Sequence, residues 1–340
     1  MNASSAAAVF ERLRGSLNVG AVHAGARRPF KFFLCGDPGL MSELRRLLLA
    51  GHPGDTIPPE AAATLETLDV ERAVDTTDAR AVICVARATD RGALGLEKLV
   101  ALKLPVLVLI VEPGITATSG PIQAPPAGGA EEYVVDRLAY QPLAGRFLPH
   151  LVDCCKGLEV AVGRQLPTLR DVVAAKLTRD AAMNALKVAG ASAVIDHVPV
   201  LGVVLGAFAS GADMFAITGI QMTLMLNIGA AYGRDPDLSQ MLELLPVVGG
   251  GFGWRALARE LSGFIPVGGI FIKSAIAYAG TVVVGEGVSY YYRNGRQMGV
   301  EDAARVYEEA RASAMTFARD MLARIRGGNN GASGGNGTAR

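Results

Sequence analysis

A strand, a glycine-rich turn and a helix start are the parts of a phosphate-binding loop, and residues 30 to 43 supply them in that order. The apolar run FKFFLC leads into Gly36-Asp37-Pro38-Gly39 and then a helical pattern. In such a loop, backbone N–H groups point at the phosphates. A Lys meets the β- and γ-phosphates, and a Ser or Thr holds Mg²⁺. Aligned on G-x-x-x-x-G-K-[ST], Gly36 takes the first position. Met41 stands where the second Gly belongs, Ser42 replaces the Lys, and Glu43 replaces the Ser or Thr. A carboxylate there repels phosphate, and the missing Lys removes the main charge compensation. Gly36, Asp37, Gly39 and Ser42 are thus the candidate nucleotide contacts of a degenerate loop.

The next elements follow the order of a small GTP-binding domain, and they too are stripped. Asp69 fits the start of a D-x-x-G metal-contact motif, but Arg72 occupies the Gly place. The strand PVLVLIV leads into Glu112-Pro113-Gly114 rather than an Asn-Lys-x-Asp guanine-reading motif. Three motifs lost together point to a scaffold kept without its chemistry. No cofactor is expected on this reading; GTP with Mg²⁺ belongs to the alternative, atypical nucleotide binding.

Other chemistry is thin. Cys35, Cys84, Cys154 and Cys155 give no disulfide framework and no C-x-x-C pair. Adjacent Cys154 and Cys155, placed in a helical stretch, read as small buried residues. His23, His52, His150 and His197 have no metal-ligand spacing, so no metal site is expected. No G-x-S-x-G or H-E-x-x-H occurs, and Glu131-Glu132 and Glu308-Glu309 read as solvated faces.

The elements that would position these residues fall into two composition classes. Residues 1–29 read as a leader and linker, with a short helix over Ala6 to Leu17 and a linker from Gly20 to Pro29. Residues 30–150 alternate strand and helix signals: strands near Phe30–Cys35, Ala79–Ala88, Pro105–Val111 and Glu131–Val135, with helices at Met41–Ala50 and Leu94–Leu102. That alternation implies a mainly parallel sheet covered by helices, an α/β domain of P-loop-NTPase-like but degenerate type. A further helix is expected over Arg146 to Arg164. Residues 158–326 read as an all-α domain with apolar hairpins. Residues 327–340, rich in Gly and Asn, read as a disordered tail.

The apolar half contains two uncharged runs, Val198 to Ala212 and Met214 to Gly233, separated by Asp213, and a third, Leu261 to Gly285, holding only Lys273. Crossing the hydrocarbon takes about 20 residues. The first run is short, the second carries Thr218, Gln221, Thr223 and Asn227, and the third is interrupted by Pro266 and Lys273. Paired or re-entrant helices that satisfy their polar groups against each other suit this pattern. The alternative is a soluble helical core rich in Ala and Gly. Asp213 reads as an N-cap for a helix beginning at Met214, or else as a partner of Lys273 between hairpins. Thr218 and Gln221 lie three apart and share a face, which suits interhelical hydrogen bonding.

The 340 residues carry 33 basic and 32 acidic side chains, a balance that gives no field for nucleic acid. Half the chain is hydrophobic, with a mean hydropathy of +0.30. Met1 to Val9 lacks the charged-then-apolar order of a secretory signal, so a cytosolic start is expected. Lys176, Arg179 and Lys187 before the apolar block, and Arg293 and Arg296 after it, suggest a segment that enters the bilayer and returns, both flanks cytoplasmic.

The segment GLEVAVGRQLPTLRDVVAAKLTRDAAMNALKVAG, then GADMFAITGIQMTLMLNIGAAYG and IAYAGTVVVGEGVSYYYRNG, resembles the bacterial YcjF-like family of unknown function. The similarity spans about Leu158 to Gly295 and is most specific at Asp213, Thr218, Gln221, Met222 and Tyr232-Gly233. Members often follow an Era-like GTP-binding domain and are regarded as membrane-associated. The resemblance therefore implies an inner-membrane location on the cytoplasmic face, with the bilayer and an unidentified protein as partners. It supplies no catalytic residues. A purely cytoplasmic location and self-association stay open.

Overall fold

The structure, a computed structural model, describes residues 17–51, 58–69, 71, 74–114, 129–195, 202–237, 244 and 269–330. Two compact units divide the chain. One comprises Asn18–Leu177 and Leu226–Asp237; the other comprises Thr178–Met225 and Leu238–Arg340 with Met1–Leu17.

The first unit is built on a five-stranded, all-parallel sheet: β1 (Lys31–Gly36), β2 (Leu65–Thr67), β3 (Ala79–Arg87), β4 (Val106–Val111) and β5 (Ala130–Val135), in the order β2-β1-β3-β4-β5. Alternation along the strands sorts their side chains onto two faces. Phe32, Leu34, Ile83, Val85, Leu107, Leu109 and Tyr133 go to one face; Phe33, Val82, Cys84, Val108 and Ile110 go to the other. All six residues of β4 are buried, which is why its sequence is one unbroken apolar run.

The first face is covered by α2 (Pro38–Leu49), α4 (Tyr140–Ala144), α5 (Phe147–Asp153) and α6 (Glu159–Gln165). In α2, Leu40, Leu44 and Leu48 recur every four residues and form the stripe laid on the sheet. The end of α2 is closed by Thr168, whose hydroxyl donates to the Leu47 and Ala50 carbonyls at 2.5 and 2.7 Å. Among the described residues, the second face is covered by α3 (Leu96–Val100), a 3₁₀ turn at Ala88–Ala93 and the side chains of Leu68, Leu94, Leu102 and Leu104.

Several expectations are corrected here. The linker read over Gly20–Pro29 contains a helix, α1 (Val19–Ala26), whose first turn is capped by Asn18 accepting from the Ala21 N–H at 2.8 Å. The single helix read over Arg146–Arg164 is two, α5 and α6. The chain turns between them at Gly157, whose φ of +80° a side chain would strain. Cys154 and Cys155 sit in that turn. Residues from 158 onward were read as opening the helical domain, yet Leu158, Ala161, Val162, Leu166, Leu169 and Val173 complete the core of the sheet unit. Edge strand β2 was not foreseen. The helix read over Ala6 to Leu17 lies outside the described residues.

The second unit is helical. It takes the parts of α7 (Arg170–Ile195) and α8 (Gly202–Ala231) that its ranges include, with α9 (Gly269–Asn294) and α10 (Val300–Asn330). From Gly202 to Ala231 the chain on both sides of Asp213 is one continuous helix, α8. Its backbone passes through Asp213 without a break, so Asp213 is interior and not an N-cap. Residues 327–330, read as tail, continue α10; residues 331–340 lie outside the described residues. Within this unit Ala182, Ala185 and Ala189 of α7 and Ala277, Ala279 and Thr281 of α9 are buried. Among the described residues, no helix is long and apolar enough to cross a membrane.

Candidate functional site

Open parallel sheets present their ligand crevice at the carboxyl ends of the strands, where the strand order turns round. Here that point lies between β1, whose neighbour β2 is next in sequence, and β3, whose neighbours continue to β4 and β5. The residues there are Gly36 and Asp37 after β1 and Arg87 ending β3. Gly36 has φ +110°, and a Cβ on it would lie 2.0 Å from the Val85 carbonyl oxygen. Only glycine lets the chain pass so close. The Asp37 N–H then donates to the same Val85 oxygen at 2.8 Å.

Helix α2 starts immediately, with Pro38 at its first position and Asp37 as N-cap. The Asp37 side chain accepts from the Leu40 N–H at 2.9 Å, and its other oxygen lies 3.7 Å from Arg87 Nε. The Leu40 N–H bond, the Gly39 N–H and the Arg87 guanidinium together hold its carboxyl below the usual carboxylate range, against partial desolvation. The consequence for phosphate is direct. A loop that cradles phosphate leaves its helix N–H groups open; here an internal carboxylate takes them. Gly39 and Ser42 already belong to α2, and Ser42 is exposed on it. Asp37 thus holds the Leu40 N–H that a phosphate-binding helix end would leave open.

A second polar cluster sits on edge strand β5 and was missed from sequence. The Tyr133 hydroxyl donates to Glu131 Oε2 at 3.1 Å and also meets His150 Nδ1, which lies 2.8 Å from the same carboxylate oxygen. The Arg146 guanidinium stacks 5.8 Å from the Tyr133 ring centre. Burial, with Glu131 nearby, holds the Tyr133 proton above the ordinary phenol range. Burial also pushes the Cys154 thiol up to about 11, with Glu131 and Asp153 adding to it. These shifts keep both groups protonated at neutral pH, which suits a structural tie between β5 and α5 rather than a nucleophile.

The candidates of the helical unit separate. Gln221 is buried on α8, and its amide nitrogen donates to Thr281 Oγ1 on α9 at 3.2 Å. Thr281 in turn donates to the Ala277 carbonyl at 2.8 Å. Thr218 lies half-buried one turn away on α8. The backbones at Asp213 and Lys273 lie within α8 and α9, but their side chains fall outside the described residues. Gly285 of α9 faces Thr178 of α7 so closely that a Cβ would meet its Oγ1 at 2.1 Å. Small residues thus set how near these helices come, a signal visible in the sequence as glycine-rich apolar runs. The partner of Gln221 carried no such signal.

Among the described residues, no group of three or more His, Cys, Asp or Glu side chains could hold a metal ion. No family model, curated protein or solved structure matches the chain.

Proposed function

We propose that the protein is a non-catalytic, membrane-associated module. In this reading the α/β unit is a degenerate nucleotide-binding-type scaffold, a pseudo-GTPase that serves as a partner-binding body. The helical unit, akin to the YcjF-like family, associates with the cytoplasmic face of a bacterial inner membrane. The observation that carries the reading is the Asp37 carboxylate seated on the N-terminus of α2, where a nucleotide phosphate would have to bind. No Lys stands at the matching position to offset that charge.

Two features of the helical unit support the membrane part. Its helices meet through Ala, Gly, Ser and Thr, with the Gln221–Thr281 bond between two of them, the manner of packing that helices use in lipid. Helix α9 ends in Tyr290, Tyr291, Tyr292 and Arg293, with Arg296 stacked 5.3 Å from the Tyr290 ring centre. Aromatic and basic side chains at the end of an apolar helix suit the headgroup layer of an anionic membrane.

Two measurements test the two parts separately. Isothermal titration of the purified chain with GTP and Mg²⁺ is expected to give no binding in the sub-millimolar range; binding there favours an active, atypical GTPase. Alkaline carbonate extraction of membranes from expressing cells is expected to leave the protein in the pellet. Full release to the supernatant favours a soluble helical adaptor.

A further inference from the structure

We propose that Cys35 and Cys84 are a peroxide-oxidisable dithiol that closes to a cross-strand disulfide, tying β1 to β3 just below the strand-order reversal. The two residues are direct register partners on adjacent parallel strands. Both side chains belong to the second face of the sheet. Neighbouring strands run about 4.8 Å apart, inside the roughly 4.4–6.8 Å Cα separation that a disulfide spans. The register and the Cα spacing therefore suit a disulfide between the two strands.

Access and protonation differ within the pair. Cys84 is only 1% exposed, whereas Cys35 is half-buried at the strand end, directly before Gly36 and Asp37. Among the described residues, the cover on this face includes a five-residue helix and a 3₁₀ turn. The Cys35 thiol lies 3.8 Å from the Ile83 carbonyl oxygen. The neighbouring Cys84 and burial hold the proton on Cys35, while the nearness of Cys35 pulls Cys84 toward its thiolate against the cost of burial.

The chemistry balances with hydrogen peroxide as oxidant. The Cys84 thiolate attacks one peroxide oxygen, the O–O bond breaks, and hydroxide leaves, giving a sulfenic acid. Cys35 sulfur then attacks the Cys84 sulfur, the S–O bond breaks and the Cys35 proton leaves with the oxygen as water. In sum, two thiols and one peroxide give one disulfide and two waters. Cys154 and Cys155 provide an internal contrast. They are adjacent in sequence, and burial raises both thiols toward the unreactive protonated form.

The test uses the full-length reduced protein, treated with hydrogen peroxide, blocked with an alkylating agent without reduction and digested for mass spectrometry. The expected result is a linked peptide pair joining Cys35 to Cys84, with Cys154 and Cys155 alkylated, and reversal by dithiothreitol. Cys35→Ser is expected to replace the linked pair with sulfenic acid at Cys84, trapped by dimedone. A Cys154→Ala/Cys155→Ala variant should keep the link. The proposal is overturned if Cys35 and Cys84 are both alkylated as free thiols after the peroxide treatment. It is equally overturned if either of the pair links to another cysteine instead. Because the principal measurement is on the unaltered chain, a variant that fails to fold does not blunt it.

Discussion

The two units bury different things. In the sheet unit the fully buried side chains are large: Phe32, Phe33, Leu34, Leu44, Leu48, Ile83, Leu107 and Leu109. Among the described residues of the helical unit, the buried side chains include many small or polar ones, Ala182, Ala185, Ala189, Ala279, Gln221, Thr281 and Ser289, alongside Leu224, Ile276 and Val288. Burying a large apolar side chain contributes about 1.5–3 kcal/mol through removal from water. An alanine offers far less, so the helical unit draws more of its cohesion from close backbone approach and from hydrogen bonds such as Gln221 to Thr281. The first way of holding together depends on water as the surrounding medium. The second works in lipid as well, which is what supports the proposed membrane association of the helical unit.

The largest expected effect is on the water-driven side. Phe32→Ala removes a wholly buried ring between α2 and the sheet and should cost about 3–5 kcal/mol. Urea unfolding followed by tryptic resistance of the sheet unit reads the loss; a cost under about 1 kcal/mol would mean that this core is not what holds the unit together. On the other side, Gly285→Ala should cost about 1–3 kcal/mol by overpacking, because the new methyl runs into the stiff, branched Thr178. Thr178→Ala in the same chain should restore most of the loss. If Gly285→Ala is neutral by itself, close approach does not define the helical unit, and the contrast between the units fails there.

A subtler test concerns the polar pair. Thr281→Val leaves the buried Gln221 amide without its acceptor and should cost about 1–3 kcal/mol. Gln221→Leu together with Thr281→Val removes both partners and should recover most of that cost. A double-mutant cycle measured by thermal unfolding separates the pair from its packing. Additive costs would reduce the Gln221–Thr281 bond to an incidental contact.

What was legible in sequence follows the same division. Strands β1, β3 and β4 could be read because burial on both faces forces long apolar runs, such as PVLVLIV. The three-residue edge strand β2 carries two exposed positions, Glu66 and Thr67, and leaves no pattern. The turn at Gly36-Asp37 was visible, but its role was not. Whether Asp37 lines a loop or caps a helix depends on where the helix starts, and Pro38 at the first position of α2 decides that. The pairing of Cys35 with Cys84 is a matter of register between strands far apart in the chain, which no local spacing encodes. The same holds for Gln221 and Thr281, which face each other across two helices. The N-cap reading of Asp213 fails because a charged residue between apolar runs looks like a boundary, while a helix backbone continues through it at little cost.

The smallest expected effect is also the one that divides the units by pH. The buried polar groups of the helical unit named above are amides and hydroxyls, which do not titrate in acid. Asp37 does. Its carboxyl is held low in the folded chain by the Leu40 and Gly39 N–H groups and by Arg87. A depressed folded value means that its contribution is complete above the ordinary aspartate value of about 4 and is lost as the pH falls through the folded value. Asp37→Asn keeps an acceptor for the Leu40 N–H but carries no charge, so it removes only the titrating part of the cap. The urea midpoint of the sheet unit should then be slightly lower in Asp37→Asn than in the native chain near neutrality. The two midpoints should converge as the pH is brought below about 4. Because Asp37 and Arg87 are solvent-accessible, the gap should also narrow in high salt. A gap that stays constant from neutral to acid would mean that the carboxylate charge is not held at the helix end. The argument that it shuts phosphate out would then lose its footing.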